Sequence, residues 1–519
     1  MHRLRSGALV LLLVLAACAI NPATGRREIV FMSKEREAAL GREAAVQVAQ
    51  EMGIVEDSEL AAYVSAVGER VARKSPQQDF PYRFQIVDMP EPNAFALPGG
   101  YVYVSRGLLV IANSEEELAN VIGHEIGHVA ARHAAERETA AVPVGVLTAI
   151  GAIAAGLIGG GQAAQAVGQL GQTAGQGLIA SYGRDQELEA DRLGQDYAAK
   201  AGSNPAAMAD FLRTLEHATS LDRDESHQLS FLDTHPSTPE RVTAAASFAS
   251  TLPYAPQPGV ARSHDEFLRK LDGLVVGQDA DEGVIDGSRL LHPVLGLQLR
   301  FPEGWKIRNG RSAVMAVAPN GEAAVVLELE MPARSAREAA GIFVRRNGLQ
   351  VVEAGAVQLA VGDGFRALVA VPSRRGPMAV DLTWIPYDGR IYRLTGLANG
   401  SSYRPYQGAF ALVARSLRSL SSQDLRGIQE QRLRIVAARA GETLDQLVAR
   451  TRSSWKPQEV AVANALAPGV RLQAGQLLKL SISEPYQSRT GLRPAPSLVP
   501  SPAPRHAPAA AEEEKLEPL

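Results

Sequence analysis

The chain has 519 residues, 46% of them hydrophobic, enough for about two to four domains. Its formal charge is −3 with 21% charged residues, which excludes the strongly basic surface that nucleic-acid binding needs. The single cysteine, Cys18, excludes an internal disulfide.

Taken in chain order, Arg3 and Arg5 precede an apolar run at 8–17 that ends Leu15-Ala16-Ala17-Cys18. This is the pattern of a secretory signal. It resembles a lipoprotein signal, in which residues 1–17 are removed and Cys18 becomes the acylated membrane anchor. Ala19 stands where an aspartate would signal inner-membrane retention, so the resemblance implies an outer-membrane lipoprotein facing the periplasm. Residues 18–32 read as an extended, lipidated tether. Ser33 is placed to cap a helix that ends near Gly53, and a second helix is expected over 58–74. Residues 82–88 alternate as a strand does, and two β-rich pieces flank Pro98-Gly99-Gly100 within 93–110.

Ser114 followed by Glu117 is a capping-box signature for a helix running to about residue 137. Residues 139–183 carry no charge. Their first half is apolar enough to suggest a membrane span, but the Gly/Gln-rich second half would span poorly, so a lid, a plug or a membrane-surface hairpin is expected instead. Further helices start near Asp185, Asn204-Pro205 and Thr238-Pro239. A proline-containing linker over 251–264 then leads to a strand-rich region. The expected architecture is α+β throughout. A mainly helical domain with a small sheet covers 33–255, an α+β domain 265–425, a small βααβ module 431–482 and a disordered tail 483–519.

The chemistry concentrates on His124-Glu125-Ile126-Gly127-His128. Positions i and i+4 share one helix face, so both imidazoles can reach one ion, while Glu125 at the edge of that face can touch a metal-bound water. This is the pattern of a zincin, with two histidines on zinc and a glutamate as general base. Gly127 weakens the helix, which a tight approach of another backbone or of the metal site would explain. A metzincin would need Gly at 131 and His at 134; both are alanine, so that class is excluded. His133, five residues past His128, reads as a surface residue. In Glu187-Leu188-Glu189-Ala190-Asp191, Glu187 and Asp191 again share a face. Glu187 would suit a third ligand and Asp191 an acceptor for a ligating histidine's outer N–H; a solvated acidic face is the alternative. Glu189 is expected in solvent.

These segments together resemble the HtpX and CAAX-prenyl-protease type of zinc metallopeptidase, peptidase family M48, and within it the BepA-like periplasmic branch. Cys18 to Gly25, Asn93-Ala94-Phe95-Ala96-Leu97-Pro98-Gly99-Gly100 and Thr234-His235-Pro236 with Arg241 complete the likeness. The resemblance covers about residues 18–255. It implies a helical gluzincin domain binding one zinc ion through His124, His128 and Glu187, with Glu125 as base. His235 would gate the metal or stabilise the oxyanion. The 93–104 segment would be an edge strand that pairs with an extended polypeptide, involving Asn93, Phe95, Gly99 and Gly100.

Residues 292–305 resemble the opening of PsbP-like α+β domains. Residues 440–444, Asn464 and 475–480 resemble a LysM module, although Glu442 replaces the usual aspartate and the early aromatic is missing. That likeness implies peptidoglycan as a further partner. The sequence therefore points to a zinc endopeptidase acting on unfolded or misassembled envelope proteins. The alternatives are a non-proteolytic assembly factor or chaperone that retains the zinc site, or a peptidoglycan hydrolase.

Overall fold

The computed structural model describes residues 18–29, 33–134, 182–221, 231–235, 239–330, 332–371, 378–398, 402–467 and 469–488. The signal segment 1–17, nearly all of the uncharged tract and the tail beyond 488 lie outside these residues. So does the His-Pro proline, Pro236.

The expected tether is instead a hairpin. Strand β1 (Cys18–Ile20) pairs antiparallel with β2 (Arg27–Ile29). Its turn residue Asn21 is buried and donates from Nδ2 to the Ala130 carbonyl at 2.9 Å. Helix α1 (Lys34–Glu51) is capped by Ser33, as expected, and α2 (Ser58–Ala72) by Asp57. Strands β3 (Arg83–Val87), β4 (Ala94–Leu97) and β5 (Tyr101–Ser105) form a sheet in the order β3-β5-β4. β3 runs parallel to β5 and β4 antiparallel, which leaves β4 as an edge.

A short helix α3 (Arg106–Ile111) leads into α4 (Glu115–Ala130), the helix of the HExxH motif. Ser114 Oγ accepts from the Glu117 amide. The return bond reaches one residue further out than a capping box, from the Asn113 amide to Glu117 Oε2 at 2.8 Å. α4 ends at Ala130 rather than near residue 137, because Arg132 turns left-handed at φ 57°. Helices α5 (Arg184–Lys200), α6 (Ala207–Leu221), α7 (Phe231–Thr234) and α8 (Pro239–Ala249) complete this unit. One apolar core joins α2, the sheet and α3 to α6.

The α+β domain is expected from residue 265, and helix α9 (His264–Lys270) falls at that boundary. It instead buries Phe267 and Leu268, followed by Leu271 and Leu274, in the first core. The second domain starts beyond it. Strands β6 (Val284–Asp286), β7 (Arg289–His292) and β8 (Leu297–Arg300) belong to a four-stranded sheet. Strands β9 (Lys306–Asn309), β10 (Ala313–Val317) and β11 (Ala323–Leu329) precede α10 (Ala336–Arg346). Strands β12 (Gln350–Leu359), β13 (Gly362–Val371), β14 (Met378–Tyr387) and β15 (Arg390–Ala398) follow, then α11 (Tyr403–Ser416), β16 (Arg418–Ser419) and α12 (Ser422–Gly427). The seven-stranded sheet has the order β12-β13-β14-β15-β11-β10-β9. Alternation assigns its two faces: Val325 and Leu327 pack toward α11, Ala324 and Val326 toward α10.

The last module has the expected βααβ order: β17 (Gln429–Ala437), α13 (Leu444–Thr451), α14 (Pro457–Ala463) and β18 (Leu477–Pro485). β18 runs past residue 482, where a disordered tail was expected, because its last residues pair with Gln429, Glu430 and Gln431. The module returns to the first domain: Leu433 joins its core, and buried Lys479 donates to the Ala112 carbonyl at 2.6 Å.

Candidate metal centre

Helices α4 and α5 meet backbone to backbone at glycines. A Cβ on Gly194 would lie 2.4 Å from the His124 nitrogen, and one on Gly127 2.9 Å from the Ala190 oxygen. This contact brings the acidic face of α5 onto the histidine face of α4. α7 adds His235, held by its amide to the Phe231 carbonyl at 2.7 Å and by its ring stacked on Phe231.

One donor atom each from His124, His128, Glu187 and His235 falls within 4.8 Å of all the others, and all four residues are buried. His124 Nε2 is 3.0 Å from His128 Nε2 and 3.2 Å from His235 Nδ1. Glu187 Oε1 is 2.9 Å from His235 Nδ1 and 3.4 Å from His128 Nε2. Ligands at about 2.0–2.1 Å in a tetrahedron stand about 3.3 Å apart, so these spacings fit one zinc ion. The donor chemistry fits as well: imidazoles and a carboxylate converge where no protein hydrogen serves them all.

Behind the ligands, His124 Nδ1 faces Asp191 Oδ1 at 2.8 Å. Arg241 clamps both Asp191 oxygens at 2.8 Å and reaches Glu187 Oε2 at 2.8 Å. Burial pushes the Asp191 carboxyl up, but Arg241 and His124 outweigh it and hold it below its ordinary value. Glu187 is likewise held low against burial by the histidines around it. Burial above all, with the neighbouring His124 and His235 adding to it, drives His128 well down against the pull of Glu187, toward the neutral imidazole a metal requires. Glu125 stands apart. Burial raises its carboxyl, and neither oxygen has a hydrogen-bond partner among the described residues. His235 Nε2 lies 3.6 Å from its Oε1.

The structure thus brings His124, Glu125, His128, Glu187, Asp191 and His235 to one point. Asn93 lies beside it, its Oδ1 accepting from Thr234 Oγ1 at 3.4 Å. Phe95 does not join them; it stacks on Tyr103 in a separate apolar cluster. Gly99 and Gly100 take left-handed conformations in the β4–β5 turn, Gly99 against Ala38 and Gly100 against Phe80 and Pro81. Two expectations fail: His133 is 1% exposed and faces His128, and Glu189 is half-buried against it rather than in solvent. Tyr182, stacked on His128 at 3.7 Å, was not foreseen, and nothing in the low-complexity sequence before it marks it.

A capped helix with paired histidines, crossed by a helix with a further buried donor and a carboxylate behind it, is an arrangement that fits a zinc centre of the metallopeptidase kind. Residues 58–249 match the model of peptidase family M48, so this part of the chain is similar to that family. It is 31% identical over 262 residues to the beta-barrel assembly-enhancing protease of Yersinia pestis, covering 50% of this chain and 52% of that one. It is 30% identical over 226 residues to the mitochondrial metalloendopeptidase OMA1 of Schizosaccharomyces pombe, covering 43% and 63%. The chain therefore spans less than two thirds of these relatives. A solved cyanobacterial PsbP from a Synechocystis species aligns over 26% of this chain and 95% of its own, at 14% identity and a TM-score of 0.23, and decides nothing about function. No described helix is long and apolar enough to cross a membrane.

Proposed function

We propose that this protein is a zinc-dependent endopeptidase of the bacterial cell envelope that cleaves unfolded or misassembled envelope proteins. Glu125 carries the reading: a buried carboxyl with no hydrogen-bond partner among the described residues, beside four convergent donors, is unfavourable for stability and is what a general base needs. A structural zinc site needs no such group, which argues against a scaffold that merely retains the metal.

His124, His128 and Glu187 would hold the ion. Bound zinc supplies Lewis acidity, polarising a peptide carbonyl and acidifying a water. Glu125 would take a proton from the attacking water at Oε1 or Oε2 and return it to the leaving amine. Asp191 fixes the tautomer of His124 by accepting its Nδ1–H, leaving Nε2 free to ligate. His235 Nδ1 sits among the ligands at 2.9 Å from Glu187, so His235 acts as a gate that substrate displaces, and its ring is then placed to stabilise the oxyanion. β4, at the edge of its sheet and starting beside Asn93, would take an extended substrate through its backbone. Backbone reading suits unfolded clients, including outer-membrane β-barrels of the kind for which the bacterial relative is named.

An acylated Cys18 would hold the enzyme at the outer membrane facing the periplasm, and the βααβ module would place it against peptidoglycan. Metal content and casein cleavage of the full chain beside Glu125→Gln test the catalytic reading. Zinc in both and cleavage by the wild type alone is the expected result. A variant that still cleaves, or a wild type without zinc, overturns it.

A further inference from the structure

We infer that His133 is a positioning residue for His128, the end of a relay that reaches from the N-terminal hairpin to the metal site. The inference rests on the zinc reading above and adds a residue that the HExxH pattern does not contain. His128 Nε2 faces the ligand cluster, so its proton must sit on Nδ1. That nitrogen is 2.8 Å from His133 Nδ1, both rings being buried. His128 donates there and His133 accepts, which places the His133 proton on Nε2. His133 Nε2 in turn lies 3.3 Å from Glu189 Oε2, and Glu189 Oε1 meets Arg26 of the β1–β2 hairpin at 2.7 Å. Imidazole, imidazole, carboxylate and guanidinium form one directed chain without moving a proton. It does for His128 what Asp191 and Arg241 do for His124: it fixes the tautomer and strengthens the ligating nitrogen.

The backbone is built for this contact. On a continued helix, a residue five places past His128 points away from its face. Arg132, at φ 57°, reverses the chain and swings His133 back. A non-glycine residue pays about 1–2 kcal/mol for that conformation. Arg132 is held in it by Nη2 and Nε on the buried Glu37 Oε2, at 2.7 and 3.2 Å. On the other side, Asn21 ties the hairpin to the end of the same helix through the Ala130 carbonyl.

The test compares zinc affinity, by chelator competition, and the absorption spectrum with cobalt(II) in place of zinc, for the full chain in detergent. His133→Asn sets an amide oxygen where Nδ1 stands; His133→Leu has nearly the same shape and no acceptor. The asparagine variant should bind zinc within about threefold of wild type, while the leucine variant binds about 10–100-fold more weakly, with altered cobalt bands. If asparagine and leucine bind alike, the relay is overturned while the zinc reading stands. Should His133→Leu not melt cooperatively, Glu189→Gln decides, since it lies further out: zinc binding weakened about two- to tenfold supports the relay, and unchanged binding overturns it. A wild type that takes up no zinc overturns the proposed function and the relay together.

Discussion

Arg241 lies wholly inside the protein, and each of its guanidinium nitrogens meets an oxygen: Asp191 twice, Glu187, and the His235 carbonyl. The ion pairs hold α8, α5 and the His235 segment in one register. Their loss would leave two carboxylates buried side by side, and removing one partner of such a group costs about 3–5 kcal/mol. Arg241→Met should lower the stability of the metal-free protein by about that amount in urea denaturation. Saturating zinc should narrow the gap, because its charge would face the Glu187 carboxylate that Arg241 no longer neutralises. Arg241→Lys should recover part of the loss but not all, since an ammonium cannot grip both Asp191 oxygens at once. The sequence placed Arg241 beside the His-Pro motif but gave no reason for it, because its partners lie 50 and 54 positions away on another helix.

At the scale of elements, the centre depends on how closely α4 and α5 approach. Gly123, Gly127 and Gly194 make that approach, and each added Cβ would meet backbone that cannot swing aside. Gly194→Ala, at 2.4 Å from the His124 nitrogen, should cost about 1–3 kcal/mol in thermal or chemical denaturation. It should also weaken zinc binding, since the helices must part just where Glu187 faces the histidines; an unchanged zinc titration would contradict this account of the crossing. The histidine pair itself was legible in the sequence because its geometry is local, whereas Glu187 was singled out as the third ligand only through the family resemblance. An i, i+4 pair on a helix capped by Ser114 needs no knowledge of the rest of the chain. The end of α4 was not legible: no glycine or proline stands at 131–134, and the reversal at Arg132 is held by Glu37, 95 positions earlier. The hairpin at 18–29 was read as a tether for the same reason, since Asn21 finds its acceptor 109 positions away.

Across the whole molecule, the chain leaves the metallopeptidase domain after Leu274 and returns to it at Leu433. The two passes lie side by side, the Val276 amide donating to the Gln431 carbonyl and the Leu433 amide to the Leu274 carbonyl, at 2.8 and 2.7 Å. The second domain is thus an insertion with its ends together, whereas the final βααβ module is part of the first domain's packing. Sequence patterning divided these segments in linear order, since an apolar Leu433 or a lone Lys479 carries no mark of what it will touch. Two deletions separate the roles. Replacing residues 280–427 by a short Gly/Ser bridge should leave a cooperatively melting, zinc-binding protein, because domains whose termini meet are removable with few contacts broken. Ending the chain at residue 428 should not. It uncovers the core around Leu433 and strips the Ala112 carbonyl, at the entry to the metal helix, of its buried Lys479 donor. An unpaired buried polar group alone costs about 1–3 kcal/mol, and the exposed core adds to it. Melting curves and zinc titration of the two deletions beside the full chain give the measure. A truncated chain that melts and binds zinc like the full one would make the module an appendage, free to serve glycan binding alone. The expected loss would make it a wall of the enzyme, so that anything it binds is felt at the start of the helix that carries His124 and His128.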